Sequence, residues 1–220
     1  MRQYFDILKK SPLFFGLSDQ EIESMLQCLR GKQAAYKKNE SVFLAGSPAG
    51  EIGVVLEGRV EVSRSDLFGN RAMLAKLSPG ELFGEAFACA EVDTLPVDVV
   101  SADQSILLLI NYRRILSVCP SACTFHSRFV ENMLKILARK NLYLNGKIEV
   151  LSARTIRDKL TAYLNAQALK ESSRCVTLPF NRQELADYLS VDRSAMSREI
   201  SAMQRDGLIR VSGRQFWIQD

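Results

Sequence analysis

Apolar residues recur along this chain with changing periods, and the changes divide it. Near the start the spacing is helical. Tyr4 to Lys10 reads as one helix, and Ser18-Asp-Gln-Glu21 opens a second that runs to Leu29. There Ser18 accepts from the backbone of Glu21 while Glu21 reaches back, the reciprocal box that marks a helix start. From Glu40 the pattern breaks into short apolar runs: Val42-Phe-Leu44, Ile52-Gly-Val-Val-Leu56, Val60-Glu-Val62, Ala72-Met-Leu-Ala75 and Ser105 to Ile110. Gly46, Glu57-Gly58, Gly69-Asn70 and Pro79-Gly80 separate them as turns. Short strands at this spacing predict a small antiparallel barrel or jelly roll.

From about Tyr112 the period lengthens. Ile115, Val118, Ala122, Phe125, Phe129, Met133, Ile136 or Leu137, and Tyr143 or Leu144 return at helical steps, predicting a helix from Ser121 to Leu144. At about 1.5 Å per residue it exceeds roughly 30 Å. A stripe that long needs a partner along it. Packing on the barrel explains the Phe125 end, and a second copy in a two-fold coiled pair explains the rest.

The last forty residues change texture again. Asn181 to Leu189 reads as a capped helix, with Asn181 and Glu184 in an Asn version of the same box. Ser190-Val191 gives a turn, Asp192 is the N-cap of a second helix to Arg205, and Gly207 stops it in a left-handed conformation. Leu208 to Val211 and Gln215 to Ile218 then form a ribbon around Ser212-Gly-Arg214. Leu185, Leu189, Val191, Met196, Ile200 and Met203 make the shared apolar seam, which leaves Arg193, Ser194, Ser197 and Arg198 outward near the start of the second helix. This is the pattern of a winged helix-turn-helix. A recognition helix reads base edges with its N-terminal residues, and Arg grips guanine bidentately. Arg182, Ser212 and Arg214 complete the candidate DNA-contacting set, with Gln215 beside them in the wing.

Composition narrows the function. At 220 residues the chain has room for two cores. The formal charge of +4 is mild. From Ser152 onward there are eleven Lys/Arg against eight Asp/Glu, so tight DNA binding must come from placed contacts or from two copies. Absence of a long apolar run or secretory segment predicts a cytosolic protein with no membrane partner. Five scattered cysteines (Cys28, Cys89, Cys119, Cys123, Cys175) without a CxxC fit reduced thiols there. A lone histidine, His126, gives no metal pair, and no nucleophile elbow or phosphate loop occurs, so no enzyme is expected.

A glycine-punctuated barrel, a long helix and a winged helix-turn-helix, in that order, resemble the cyclic-AMP receptor/FNR family of bacterial transcription regulators. The likeness rests on Glu57-Gly58, Gly80-Glu81-Leu-Phe-Gly-Glu85 and Arg193 to Arg198, and it spans nearly the whole chain. It implies an α+β protein: a cyclic-nucleotide-binding-type jelly roll with N-terminal helices (1–112), a dimerisation helix (113–147) and a winged helix-turn-helix (148–220). It also implies a homodimer that senses an effector in the barrel and binds a palindromic site on double-stranded DNA; an activator would also touch RNA polymerase. Arg193 and Arg198 fall where family members contact bases and phosphates, and Ser197 where an FNR-like serine sits. Ser194 replaces the usual glutamate that accepts from cytosine, so the half-site should differ from the usual one.

At the sensor end the frame matches and the chemistry departs. Cyclic-nucleotide members use a Gly-Glu pair for ribose and, about eleven residues later, an Arg-Ser pair for the cyclic phosphate. Gly84 and Glu85 are present, but Leu95 and Pro96 stand in the Arg-Ser positions. No Lys or Arg occurs between Leu77 and Tyr112, whereas several acidic residues do. A desolvated phosphate there lacks a cation, which argues against cyclic AMP bound in the usual way. A neutral or cationic molecule near Phe83, Phe87, Leu95 and Val97, anchored by Glu85, is the leading expectation for the effector. Cys28 alone near the N-terminus rules against an FNR-type iron–sulfur cluster, and His126 in the helix stripe reads as an interface residue. Two alternatives stand beside this reading: a small-molecule-binding module whose helix-turn-helix docks protein, and a thiol-based redox sensor using Cys89, Cys119 and Cys123.

Overall fold

The computed structural model describes residues 1–66, 68, 70–116 and 124–219. It divides into two compact units, Met1–Ala138 and Arg139–Asp220.

The first unit opens with α1 (Phe5–Lys10) and α2 (Asp19–Cys28). The expected capping box forms at α2: Ser18 Oγ accepts from Glu21 N–H, and Ser18 N–H donates to Glu21 Oε2 at 2.8 Å. The hydrogen bonds that Ser18 N–H and Oγ donate to Glu21 Oε2, helped by Arg128, hold the Glu21 carboxyl below its ordinary range. Eight strands follow: β1 (Lys32–Tyr36), β2 (Ser41–Phe43), β3 (Glu51–Glu57), β4 (Val60–Ser65), β5 (Arg71–Leu77), β6 (Leu82–Phe83), β7 (Asp98–Ser101) and β8 (Ser105–Asn111). They form two antiparallel four-stranded sheets, ordered β1-β8-β3-β6 and β2-β7-β4-β5. Helix α3 (Glu85–Cys89) lies between β6 and β7 in sequence, and α4 (Tyr112–Leu116) follows β8.

The uninterrupted apolar runs of β3 and β8 have a direct cause, because both faces of their sheet are covered. Ile52, Val54, Leu56, Leu108 and Ile110 point to a core shared with α1, α2 and the first half of α5 (Thr124–Ser152). Val55, Leu107 and Leu109 point into the roll, against Phe43, Val60 and Val99 of the other sheet, with Phe83 of β6 and Leu95 in the same cluster. Strands paired this way need no polar alternation.

Helix α5 departs from expectation in two ways. It continues past Leu144 to Ser152. The inward packing expected at the Phe125 end also reaches further than expected: Phe129, Met133 and Ile136 are buried in their own unit's core, with Phe125 packed against it. Asn132 Nδ2 donates to Leu13 O and Phe15 O, and Arg128 to Gly16 O, pinning this half of the helix to the N-terminal segment. His126 likewise belongs to this unit, buried, with Nε2 2.8 Å from Ile115 O. The far end of the stripe and a neighbouring row are exposed. Leu134, Leu144 and Ile148 are each more than half exposed. Val118, Cys119, Ser121, Ala122, Cys123 and Gly69, named above for the helix, the thiols and a turn, lie outside the described residues.

The second unit contains the rest of α5, then α6 (Ile156–Glu171), β9 (Cys175–Thr177), α7 (Arg182–Leu189), α8 (Arg193–Arg205), β10 (Ile209–Ser212) and β11 (Gln215–Ile218). The three strands order as β10-β11-β9. Val150 of α5 joins Leu160, Tyr163 and Leu164 of α6 and the apolar faces of α7 and α8 in one core, closed by Val176, Ile209 and Phe216. Burial pushes the Tyr163 hydroxyl up to about 12. Among the described residues, no helix is long and apolar enough to cross a membrane.

Candidate nucleic-acid interface and sensor pocket

Both helices of the helix-turn-helix begin and end as their sequences direct. Asn181 Oδ1 accepts from Glu184 N–H at 2.9 Å, and Asn181 N–H donates to Glu184 Oε2 at 2.7 Å. Asp192 Oδ1 accepts from Ala195 N–H at 2.7 Å, so the α8 N-terminus carries a carboxylate cap. Gly207 takes the left-handed conformation with φ +77. Along α8, Met196, Ile200 and Met203 are buried, while Arg193, Ser194, Ser197 and Arg198 are all exposed. The helix period alone separates the two rows.

In the wing, Ser212 and Gln215 are paired across the hairpin, and Gly213-Arg214 form its two-residue turn. Ser212, Arg214 and Gln215 are exposed there, and Arg214 Nη1 donates weakly to Pro179 O at 3.5 Å. Arg182 is placed differently. Its guanidinium lies 5.0 Å from the Phe216 ring and is half-buried, and that burial lowers its affinity for the proton. It therefore braces α7 against β11, and its charge is less exposed than that of Arg193, Arg198 or Arg214.

Sequence reasoning missed the side chains that hold these helices from behind. Arg157, in the first turn of α6, bonds Glu199 Oε1 through Nε at 2.6 Å and Asp206 Oδ2 through Nη1 at 2.8 Å. Lys159 Nζ donates to Leu189 O, the last carbonyl of α7, at 3.2 Å. From α5, Lys147 lies over the Tyr188 ring at 5.2 Å. All are long-range pairs with no local pattern that would reveal them.

In the first unit, Gly84 has φ +81 and starts α3. A Cβ there would stand 2.8 Å from Glu51 O, so both the conformation and the close approach require glycine. Glu85 is only 3% exposed, an uncommon setting for a carboxylate. Phe83 is core: its ring covers Gly53, its cross-strand partner, and meets Phe43 edge-to-face at 5.3 Å. Leu95 and Val97 are buried, Phe87 is half-buried beside the same cluster, and Pro96 is exposed. Of the predicted effector residues, Leu95 also lines a cleft of about 290 Å³, together with Ser41, Phe43, Ser47 and Glu51. Cys89 hydrogen-bonds Tyr112, and burial pushes its thiol up, away from the thiolate that a redox sensor needs.

Comparison with known proteins agrees with this layout. Residues 33–121 match the cyclic nucleotide-binding domain, and residues 158–220 the Crp-like helix-turn-helix domain. The chain belongs to the Crp/Fnr family of transcription regulators. It is 26% identical over 206 residues to the cyclic AMP receptor protein of Thermus thermophilus, covering 93% of this chain and 90% of that one. It is 25% identical to the transcriptional activator protein FnrL of Cereibacter sphaeroides, covering 82% and 73%. Among solved structures, the catabolite activator protein of Thermus thermophilus superposes with a TM-score of 0.52 at 24% identity, covering 95% and 94%. The c-di-GMP-responsive regulator CLP of Xanthomonas campestris gives 0.55 at 23%, covering 92% and 100%. This Crp/Fnr chain thus pairs an effector-binding domain with a helix-turn-helix DNA-binding domain.

Proposed function

We propose that this regulator acts as a homodimer on a palindromic site in double-stranded DNA, with an effector in the roll setting the geometry of its recognition helices. The observation that carries the DNA reading is the row Arg193, Ser194, Ser197 and Arg198, exposed on one face of α8 while the opposite face is buried. Ser212 and Arg214 would meet phosphates from the wing. Ser194 cannot supply a carboxylate to cytosine N4, so the half-site lacks that preference. Binding should weaken steeply between about 50 and 200 mM salt through counterion release. A protein groove as the target would show far less salt dependence. Arg198→Ala should cost about 1–3 kcal/mol on the cognate duplex, and no loss would remove it from the base-reading set.

The dimer reading rests on α5. Leu134, Leu137, Asn141, Leu144, Ile148 and Leu151 alternate by three and four residues, the a/d spacing of a two-stranded coiled coil. Three of them are among the most exposed apolar side chains of the chain, and a second copy would cover them. Asn141 occupies an a position, where a polar residue specifies register.

The division into an effector domain over 1–112, a dimer helix over 113–147 and a DNA-binding domain over 148–220 goes with this reading. The effector would be a neutral or cationic small molecule that meets Phe87 and the Leu95–Val97 segment with Glu85 as polar anchor. What supports it is the absence of any Lys or Arg between Leu77 and Tyr112 and the apolar character of Leu95 and Pro96. Because α5 contributes to both cores, a ligand that favours one packing of its first half shifts the population of DNA-binding geometries.

A further inference from the structure

The helix-turn-helix accounts for the outward face of α8, but its acidic residues face elsewhere and have no role in that account. Glu199 follows Arg198 directly, and Asp206 caps the helix C-terminus. Seven residues apart, they lie close to one line along the helix, separated by about 10 Å of rise. One guanidinium reaches both. Arg157 Nε meets Glu199 at 2.6 Å and Nη1 meets Asp206 at 2.8 Å, and its side chain is 39% exposed. We propose that Arg157 is the positioning residue of the recognition helix, a two-point clamp from α6 that fixes which side chains α8 presents to DNA.

Three features support the assignment. Attachment at two points two turns apart opposes rotation of α8 about its axis, and such rotation would turn Arg193 and Arg198 away from base edges. The fork geometry is specific to arginine, since an ammonium is a single point charge. The single positive charge of Arg157 also offsets part of the negative charge of Glu199 and Asp206 on the helix that carries the DNA-facing arginines. Lys159, two residues further along α6, holds the end of α7 through Leu189 O, so the same short segment grips both helices of the motif.

This inference rests on the DNA-binding reading. Its test starts from a duplex enriched by the full-length wild-type protein out of a random pool. Affinity for that duplex and for an unenriched one is then measured across a salt series for Arg157→Met, Arg157→Lys and the double variant Glu199→Gln/Asp206→Asn. Thermal unfolding is followed in parallel. A positioning role gives at least a tenfold loss on the enriched duplex for Arg157→Met, with less than twofold on the other and an unchanged salt slope. The carboxamide double variant gives the same loss, combining it with Arg157→Met adds nothing, and Arg157→Lys fails to rescue. Equal losses on both duplexes, with the slope reduced by about 0.9, would make Arg157 a phosphate contact instead. A lower unfolding temperature with an unchanged ratio of affinities would reduce it to a fold-stabilising pair. If the wild type enriches no duplex at all, it is the DNA reading that falls, and this assignment with it.

Discussion

Gly53 and Phe83 offer a prediction in which two damaging substitutions should partly cancel. They face each other across β3 and β6, and the Phe83 ring fills the space that a Gly53 side chain would need. The ring is also held edge-to-face by Phe43 within the buried cluster, so it has little room to give way. Gly53→Ala alone should therefore cost about 1–3 kcal/mol by overpacking. Phe83→Ala alone should cost about 3–5 kcal/mol, as a large buried side chain leaves a cavity. Once the ring is gone the added methyl meets no obstacle. Gly53→Ala should then stabilise by about 0.4–1 kcal/mol through the lost freedom of the unfolded glycine. The coupling between the sites is thus about 1.4–4 kcal/mol. Urea unfolding followed by far-ultraviolet circular dichroism measures it. The sole tryptophan, Trp217, lies in β11 and reports the second unit separately. Additivity within about 0.5 kcal/mol would show that the ring does not press on Gly53 and would return Phe83 to the effector-contacting candidates.

Other expectations follow from single residues. Asn181→Ala removes one half of the α7 capping box and should lower second-unit stability by about 1 kcal/mol, read from the urea midpoint of Trp217 fluorescence. The Tyr163 hydroxyl titrates near 12 when folded and near 10 when unfolded, so the unfolded chain ionises first and stability should fall as pH rises from about 10 to 12. Tyr163→Phe should shrink that fall, and an unchanged pH profile would contradict the assignment. Saturating cyclic AMP should leave the unfolding temperature of the protein unmoved. A native-state ligand at about a hundred times its dissociation constant adds roughly 2.7 kcal/mol, so a clear rise would mean that backbone or partner groups supply the phosphate contacts.

Local signals made some parts of this chain legible and left others hidden. The capping boxes at Ser18–Glu21 and Asn181–Glu184, the Asp192 cap and the alternation of faces on α8 are written within a few residues, and each forms as read. Strands β1, β6, β7 and β9 escaped notice because they are short or poor in apolar residues and form through pairing to distant partners. Lys32–Tyr36 lies along Ser105–Leu109 of β8, far away in the sequence. On α5 the sequence pattern does not mark where the inward part of the stripe ends: burial expected at the Phe125 end extends to Ile136, while Tyr143 and Leu144 are exposed. Periodicity reveals that a helix has an apolar face, but not whether that face meets its own chain or another. The α5 helix has two such faces, one buried in its own unit and one exposed. At the site, the exposed arginines of α8 could be read from spacing, while Arg157 could not, because its partners are more than forty positions away. Burial, too, could not be read from spacing: Phe83 is held in the roll's core and Arg182 lies against the Phe216 ring.

The most direct measurement is the dependence of affinity on spacing within the enriched duplex, by fluorescence anisotropy at moderate salt. A two-fold dimer presenting two α8 helices should select two symmetric half-sites with centres one turn apart, about 34 Å. Inserting five base pairs between them should then abolish specific binding, and inserting ten should restore part of it. Affinity indifferent to both insertions, or an enriched duplex without two-fold symmetry, would contradict paired recognition helices as the basis of this regulator's action.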